Sequence, residues 1–289
     1  MKQRATHPGR LLVCATPIGN LADVTLRVLE ALRTCDLIAA EDTRQARKLL
    51  AAYEISKPLV SYHDRNERSR TPELVSKLES GTAIALVSDA GTPGIADPGH
   101  RLINACIDRD IPIQVLPGPN AAIAALVLSG FPSEVFTVAG FSPRRPGPRR
   151  KFFDDLLAEG RTFSFYESPH RVLASLSDLA EASPSSRIAL ARELTKVFEE
   201  VIRGDPAQVR DRLAESGPRG EMVIVVAPPK GKAAKESPAA LAAAVADLER
   251  QGLEKKEAMR AVAKSSGTTR RAVYDAVVSR ASSEERPGS

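Results

Sequence analysis

The 289-residue chain has no tryptophan, three cysteines and only 4% aromatic residues. Cys14, Cys35 and Cys106 are odd in number, far apart and set among apolar residues. That pattern excludes a disulfide framework and a cysteine-based zinc site, and small core residues are expected. The scarcity of rings argues against the extended base stacking used by single-strand binders. No apolar run approaches the length of a membrane span, and Leu11 to Ala15 is too short for the core of a secretion signal, so a cytoplasmic protein with no membrane partner is expected. The four histidines show no HExxH-like spacing, and no metal is expected. Neither GxxxxGK[ST] nor GxGxxG follows any apolar run, which removes the usual nucleotide fingerprints, and no internal repeat is visible.

What is present is ordinary globular material, 43% hydrophobic and 27% charged, enough for two cores or for one core with an appendage. The net charge of +5 is uneven. Residues 230–289 hold twelve Lys/Arg against eight Asp/Glu, leaving 29 against 28 before them, so the basic excess sits in the tail and hints at a polyanionic partner.

Short apolar runs alternate with helical patterns through the first half, the signature of a parallel α/β sheet. Five strands are expected at 11–15, 37–40, 59–62, 83–87 and 113–116, with helices near 21–34, 44–53, 71–80, 99–108 and 120–129. A second α/β unit follows, with strands at 135–139, 162–166, 187–191, 199–203 and 222–227. The short turn between the third and fourth of these makes an antiparallel pair and a mixed sheet. PPKGKAAKESP then reads as a linker, and Ala239 to Ser282 as three helices compatible with a helix-turn-helix. The expected organisation is 1–118 and 119–229 as two α/β domains, 230–238 as linker and 239–283 as a small helical domain.

Each strand of the first unit is followed by a polar or Gly/Pro-rich stretch: ATPIGN, AEDTR, SYHDRNE, SDAGTPGIADPG and PGPNA. In open α/β sheets ligands bind beyond the carboxyl ends of the strands, so these five stretches should converge. Gly91, Gly94 and Gly99 permit close backbone approach to a ligand, and Pro93 and Pro98 stiffen the loop.

The ordered set TPIGNLADVTLR, AEDTR, SDAGTPGIADPG, PGPNA, FYESPHR, ARELTKVFEE and GEMVIVV closely resembles the ribosomal RNA small subunit methyltransferase I family, within the tetrapyrrole methylase superfamily. The resemblance runs from about Arg10 to Ala227, and the C-terminal helices are similar to that family's small helical domain. It implies S-adenosyl-L-methionine as donor, bound between two α/β domains, a homodimer, and 2'-O-methylation of a decoding-region cytidine in 16S ribosomal RNA of the small subunit. By the same resemblance Pro17, Asp89, Ala90, Gly91, Thr92, Ile95, Asn120, Ala121, Tyr166, Glu167 and Leu194 lie along the donor. Where the family commonly has a second histidine in the SYHDRNE loop, this chain has Arg65.

A ribose hydroxyl must attack the donor carbon nearly in line, so positioning supplies much of the rate and the base need not be strong. Candidates for catalysis are Glu193 and Lys196 in ARELTK and Glu167 and His170 in FYESPH. Arg44, Arg171 and Arg192 are candidate phosphate contacts. Asp42, His63, Asn66 and Glu67 stand on other strand ends, either catalytic or ordering their loops. SPRRPGPRRK offers Arg144, Arg145, Arg149, Arg150 and Lys151 as a phosphate clamp or a solvated loop, and in the tail Lys255, Lys256, Arg270 and Arg271 are further candidates. Two rivals share parts of this pattern: a methylase of tetrapyrroles or protein side chains, and a DNA-binding regulator that senses a nucleoside.

Overall fold

The computed structural model describes residues 9–228, 238–266 and 268–284. The linker expected at 230–238 lies, Pro238 apart, outside them. Clustering of the chain gives two compact units, Met1–Leu128 with Ala191–Val201, and Ser129–Leu190 with Ile202–Ser289. In this division the helix after PGPNA and the ARELTK segment group with the first sheet.

In the first unit β1 (Arg10–Cys14), β2 (Leu37–Ala40), β3 (Leu59–Ser61), β4 (Ala83–Val87) and β5 (Ile113–Leu116) form one sheet in the order β3-β2-β4-β1-β5. Every pairing is parallel, with Leu12 opposite Ala85 on one side and opposite Gln114 on the other. The central strands β1, β2 and β4 read as continuous apolar runs because both faces are covered. Alternate residues separate cleanly. Leu12, Cys14, Ile38, Ala40, Ala85 and Val87 pack with α1 (Leu26–Thr34) and α2 (Thr43–Ala52), whereas Leu11, Val13, Leu37, Ala39, Ile84 and Leu86 pack with α3 (Glu67–Glu79) and α4 (His100–Ile107). Each large apolar side chain so enclosed stabilises the sheet by roughly 1.5–3 kcal/mol.

The helix expected over 21–34 is broken in two. Asn20 caps a short 3-10 turn at Leu21–Asp23, Val24 is extended, and Thr25 accepts a hydrogen bond from the Val28 amide to start α1. Two capping residues five positions apart make two starts out of one apolar pattern. The last helix of the unit, α5 (Ala121–Ser129), follows β5.

The second sheet runs β6-β7-β10-β8-β9, built from β6 (Phe136–Phe141), β7 (Thr162–Glu167), β8 (Ile188–Arg192), β9 (Glu200–Gly204) and β10 (Met222–Val226). It is mixed, since β6 pairs with β7 in parallel and β7 with β10 antiparallel. Three helices complete it: α6 (Pro146–Ala158), α7 (Val172–Ala182) and α8 (Pro206–Ser216). At the C-terminus α9 (Pro238–Arg250), α10 (Lys255–Ser265) and α11 (Arg270–Glu284) enclose their own apolar cluster of Leu241, Val245, Ala258, Val262, Val273 and Ala276. Thr269 accepts from the Ala272 amide at the head of α11. Among the described residues no helix is long and apolar enough to cross a membrane.

All three cysteines are buried and unbridged. Burial pushes the Cys14 thiol up to about 12 and that of Cys106 to about 11. Both thiols should therefore resist a thiol reagent at pH 8 in the folded protein and react once it is unfolded. These raised values make a stability contribution that is complete below the ordinary thiol value of 9.0 and lost as pH climbs from there toward the folded values. A fall in melting temperature above pH 9 checks the sign.

Candidate functional site

The site begins where the chain leaves β1 and β4. These strands are neighbours, yet α1 packs on one face of the sheet and α4 on the other, so their exits diverge. Such a divergence is a topological switch point, the place where an open parallel sheet has room for a ligand. A reciprocal pair of backbone bonds spans it, with the Thr16 amide donating to Gly91 O at 2.8 Å and the Gly91 amide donating to Thr16 O at 3.0 Å. The buried Thr16 hydroxyl adds a bond to Ser88 O at 3.1 Å. Gly91 holds φ +82°, a left-handed conformation that a side chain would strain.

Other loops close on the same point. The AEDTR loop is tied to the glycine-rich loop through the Asp42 amide donating to Asp89 Oδ1 at 3.0 Å and the Asp89 amide donating to Glu41 Oε2 at 3.2 Å. PGPNA arrives beside it: a Cβ added to Gly118 would lie 2.9 Å from Ala15 Cβ, and one added to Gly91 would lie 3.6 Å from Ile18 Cγ2 and 3.8 Å from Pro119 O. Asn120 accepts from the Ile123 amide at 3.2 Å and so starts α5. The sequence candidates Pro17, Asp89, Ala90, Gly91, Thr92, Asn120 and Ala121 thus stand on three loops that meet, and Ile95 is half exposed on the same glycine-rich stretch.

The fourth component is ARELTK. A Cβ on Gly19 would fall 2.8 Å from Leu194 O, 2.8 Å from Lys196 Cγ and 3.0 Å from Thr195 Oγ1, so ATPIGN and ARELTK touch through a residue that has no room for a side chain. Glu193 and Lys196 form an ion pair at 2.9 Å, while Arg192 pairs with Glu200 at 2.5 Å. Glu193 and Thr195 both have positive φ, +52° and +65°. For a β-branched residue this is strained, and strain of this kind gathers at functional sites. Thr195 Oγ1 is moreover buried without a hydrogen-bond partner. Thr16, Gly19 and Thr195 were not among the sequence candidates. Their signals, a polar residue closing an apolar strand and a glycine before a capping Asn, are too common to single them out.

Charge at the site is structured. Arg44 grips Asp42 at 2.7 Å and its amide donates to the same carboxylate, holding Asp42 down at about 2. Asp89 is shifted the other way, raised by desolvation, with the Asp42 charge adding to it. Asn66 orders its own loop, accepting from the His63 amide at 2.8 Å and donating to Ser61 O at 3.1 Å. Glu67 pairs with Arg101 in a cavity of about 570 Å³ between α3 and α4, lined also by Asp97, Pro98 and Gly99 at the end of the glycine-rich stretch.

Residues 10–210 match the family model "Tetrapyrrole (Corrin/Porphyrin) Methylases". A protein named ribosomal RNA small subunit methyltransferase I from Synechocystis is 43% identical, over 92% of this chain and 96% of its own length. A relative of the same name from Thermotoga maritima is 41% identical over 75% of this chain and 98% of its own length. The chain belongs to the ribosomal RNA small subunit methyltransferase I family. Solved structures show the same fold at lower identity. A cobalt precorrin-4 methyltransferase is similar at TM-score 0.61 and 15% identity, covering 78% of this chain and 98% of that one. The uroporphyrin-III C-methyltransferase of Thermus thermophilus, solved with S-adenosyl homocysteine, is similar at TM-score 0.54 and 15% identity, covering 76% and 97%.

In the second unit, three members of the expected site set, Glu167, Arg171 and Arg149, are held in ion pairs. Glu167 is 0% exposed. One carboxylate oxygen accepts from the Ser168 amide at 2.8 Å and the Arg171 guanidinium at 2.5 Å, and the other accepts from the Ser142 and Ser175 hydroxyls. With each carboxylate oxygen carrying two donors, it joins the end of β6 to β7 and α7. Arg171 is held by Glu167 and Ser142 O. Arg149 is 5% exposed and paired with Asp178 at 2.6 Å. A helix is expected from Arg149 to Glu159; Pro146, well suited to a helix's first turn, starts α6 three residues earlier, and Arg149 to Lys151 lie within it. Arg150 binds Asp178 and Glu181, and Lys151 binds Asp155. Arg144, Arg145 and His170 are exposed, and Tyr166 is half buried with its ring 5.4 Å from that of Phe141. Lys255, Lys256, Arg270 and Arg271 are exposed on α10 and α11.

Replacing Glu167 by Ala would strand Arg171 and two buried hydroxyls. A loss of about 3 kcal/mol in urea unfolding is expected, the usual cost of breaking a buried ion pair.

Proposed function

We propose that the protein methylates the 2'-hydroxyl of a decoding-region cytidine in 16S ribosomal RNA, using S-adenosyl-L-methionine. The observation that carries this reading is the meeting of ATPIGN, SDAGTPG, PGPNA and ARELTK at the β1/β4 switch point. The names of relatives more than 40% identical over most of the chain support rRNA of the small subunit as substrate. The bound S-adenosyl homocysteine of the Thermus thermophilus enzyme supports the donor.

The residues present suit such a donor. Gly91 and Thr92 offer backbone, Leu194 is buried behind the ARELTK turn, and the Thr195 hydroxyl is left without a hydrogen-bond partner. The donor supplies an activated methyl group, and the remaining work falls to the chain. Pro17, Ala90, Asn120 and Ala121 line the approach. Glu193, held by Lys196 at 2.9 Å, accepts the proton of the attacking hydroxyl, and Lys196 offsets the charge there. Arg144 and Arg145, with Lys255, Lys256, Arg270 and Arg271, contact phosphates. The protein acts as a homodimer in this reading. Support comes from the apolar surface that β5 and α5 leave open, with Val115 56% and Val127 76% exposed.

The test is transfer of labelled methyl to unmethylated small subunits, followed by alkaline cleavage of the 16S rRNA. One new alkali-resistant cytidine in the decoding region is the expected result. Absence of transfer to subunits and to naked rRNA, with donor binding intact, would redirect the reading to tetrapyrroles or protein side chains. Glu193→Gln should slow single-turnover transfer at saturating donor by about 10²–10⁴-fold, the range of general base catalysis. Replacing Arg144 and Arg145 together by Ala should weaken subunit binding and flatten its logarithmic salt dependence by about 1.4–1.8, two phosphate contacts' worth. Arg149→Ala should instead lower the melting temperature.

A further inference from the structure

The loop that carries Glu193 and Lys196 ends in two residues that the catalytic reading leaves unused. Val197 is 92% exposed and Phe198 81%, so Phe198 has the most exposed ring among the described residues. The loop is not slack. The Lys196 amide donates to Glu193 O at 3.0 Å, the Glu199 amide to Lys196 O at 3.1 Å, and the Thr195 amide to the Glu199 carboxylate at 2.7 Å. Arg192 engages Glu200, so the two acids beside the tip are turned to partners within the loop. The result is an apolar, uncharged tip on a stapled, strained turn, anchored to ATPIGN through Gly19.

Most other phenylalanines of this aromatic-poor chain are spent on packing. Phe153, Phe163 and Phe165 are fully enclosed in the second core, and Phe152 packs beside them. Holding one ring in water on a rigid turn forgoes the burial that makes aromatics stabilising, and it has a use where a flat apolar partner arrives from outside.

We propose that Phe198, with Val197 beside it, is a contact for an unpaired nucleobase of the RNA substrate. The inference rests on the rRNA reading above. Sequence-specific recognition of RNA targets single-stranded stretches, whose unstacked bases settle on aromatic side chains, and an enzyme that selects one cytidine needs such a surface near its reacting ribose. Aromatic faces serve every base, through stacking alone. A tip free of unpaired charge fits the face of a base and not a phosphate, and its place on the same turn as Glu193 and Lys196 puts the contact beside the reacting ribose. Phe198 is a substrate-contact residue, not a catalytic one.

The absence of tryptophan makes a direct test available, because Phe198→Trp gives a single fluorescent reporter at the tip. Its emission should be quenched by 16S rRNA, and the variant should retain transfer activity. Phe198→Ala should raise KM for small subunits by about 5- to 150-fold, the scale of one lost base stack, while donor affinity, melting temperature and solution mass stay as in the wild type. Unquenched emission in the presence of bound rRNA, or a wild-type KM in Phe198→Ala, would overturn the proposal. A fall in solution mass on Phe198→Ala would also overturn it, assigning the tip to contact between copies of the chain. If the wild-type protein itself transfers no methyl to rRNA and does not bind it, the functional reading has failed rather than this refinement of it.

Discussion

Two hydrogen bonds between Thr16 and Gly91 hold the ends of β1 and β4 together at the point where their chains leave for opposite faces of the sheet. The rest of the candidate site depends on that constraint. Without it ATPIGN and SDAGTPG would be separate surface loops. With it, Ile18 and Pro119 are brought to either side of Gly91, the AEDTR loop is latched through Asp42 and Asp89, and Gly19 abuts ARELTK. The bridge itself follows from packing: α1 and α4 cover opposite faces because alternate strand residues present two apolar surfaces that both need a cover.

A division of labour among charged groups follows. Two enclosed carboxylates are paired at both oxygens, Glu167 among Ser142, Ser168, Arg171 and Ser175, and Asp178 between Arg149 and Arg150. They hold elements in register, because a buried charge persists only when its partners are complete. Groups on the strained turns keep some freedom. Glu193 and Lys196 are partly exposed, and Thr195 retains an unsatisfied hydroxyl.

Much of the architecture was legible from local pattern. The ten expected strands fall within a residue or two of the ten observed ones, and the enclosed strands β1, β2, β4, β8 and β10 were the plainest because burial on both faces needs an unbroken apolar run. The capped, periodic segments between them became helices for equally local reasons. The break at Val24 was misread because Asn20 and Thr25 each begin a helical turn, and hydrophobic period alone does not see caps. Of the five strand-end stretches expected to converge, ATPIGN, AEDTR, SDAGTPG and PGPNA lie against one another, whereas in SYHDRNE Asn66 orders its own turn and Glu67 pairs with Arg101.

The order of apolar and polar residues along this chain determined which segments became strands and helices and which loops follow the strands. Those properties depend on neighbours in sequence, through alternation, capping and turn chemistry. Tertiary structure alone decided strand order, the meeting of ATPIGN with ARELTK across some 170 residues, and the fate of each charge. Glu167 and Glu193 are the same residue type in similarly polar motifs. One is sealed inside four donors and the other stands on an exposed turn, because burial is set by what packs overhead, and no short window of sequence contains that information.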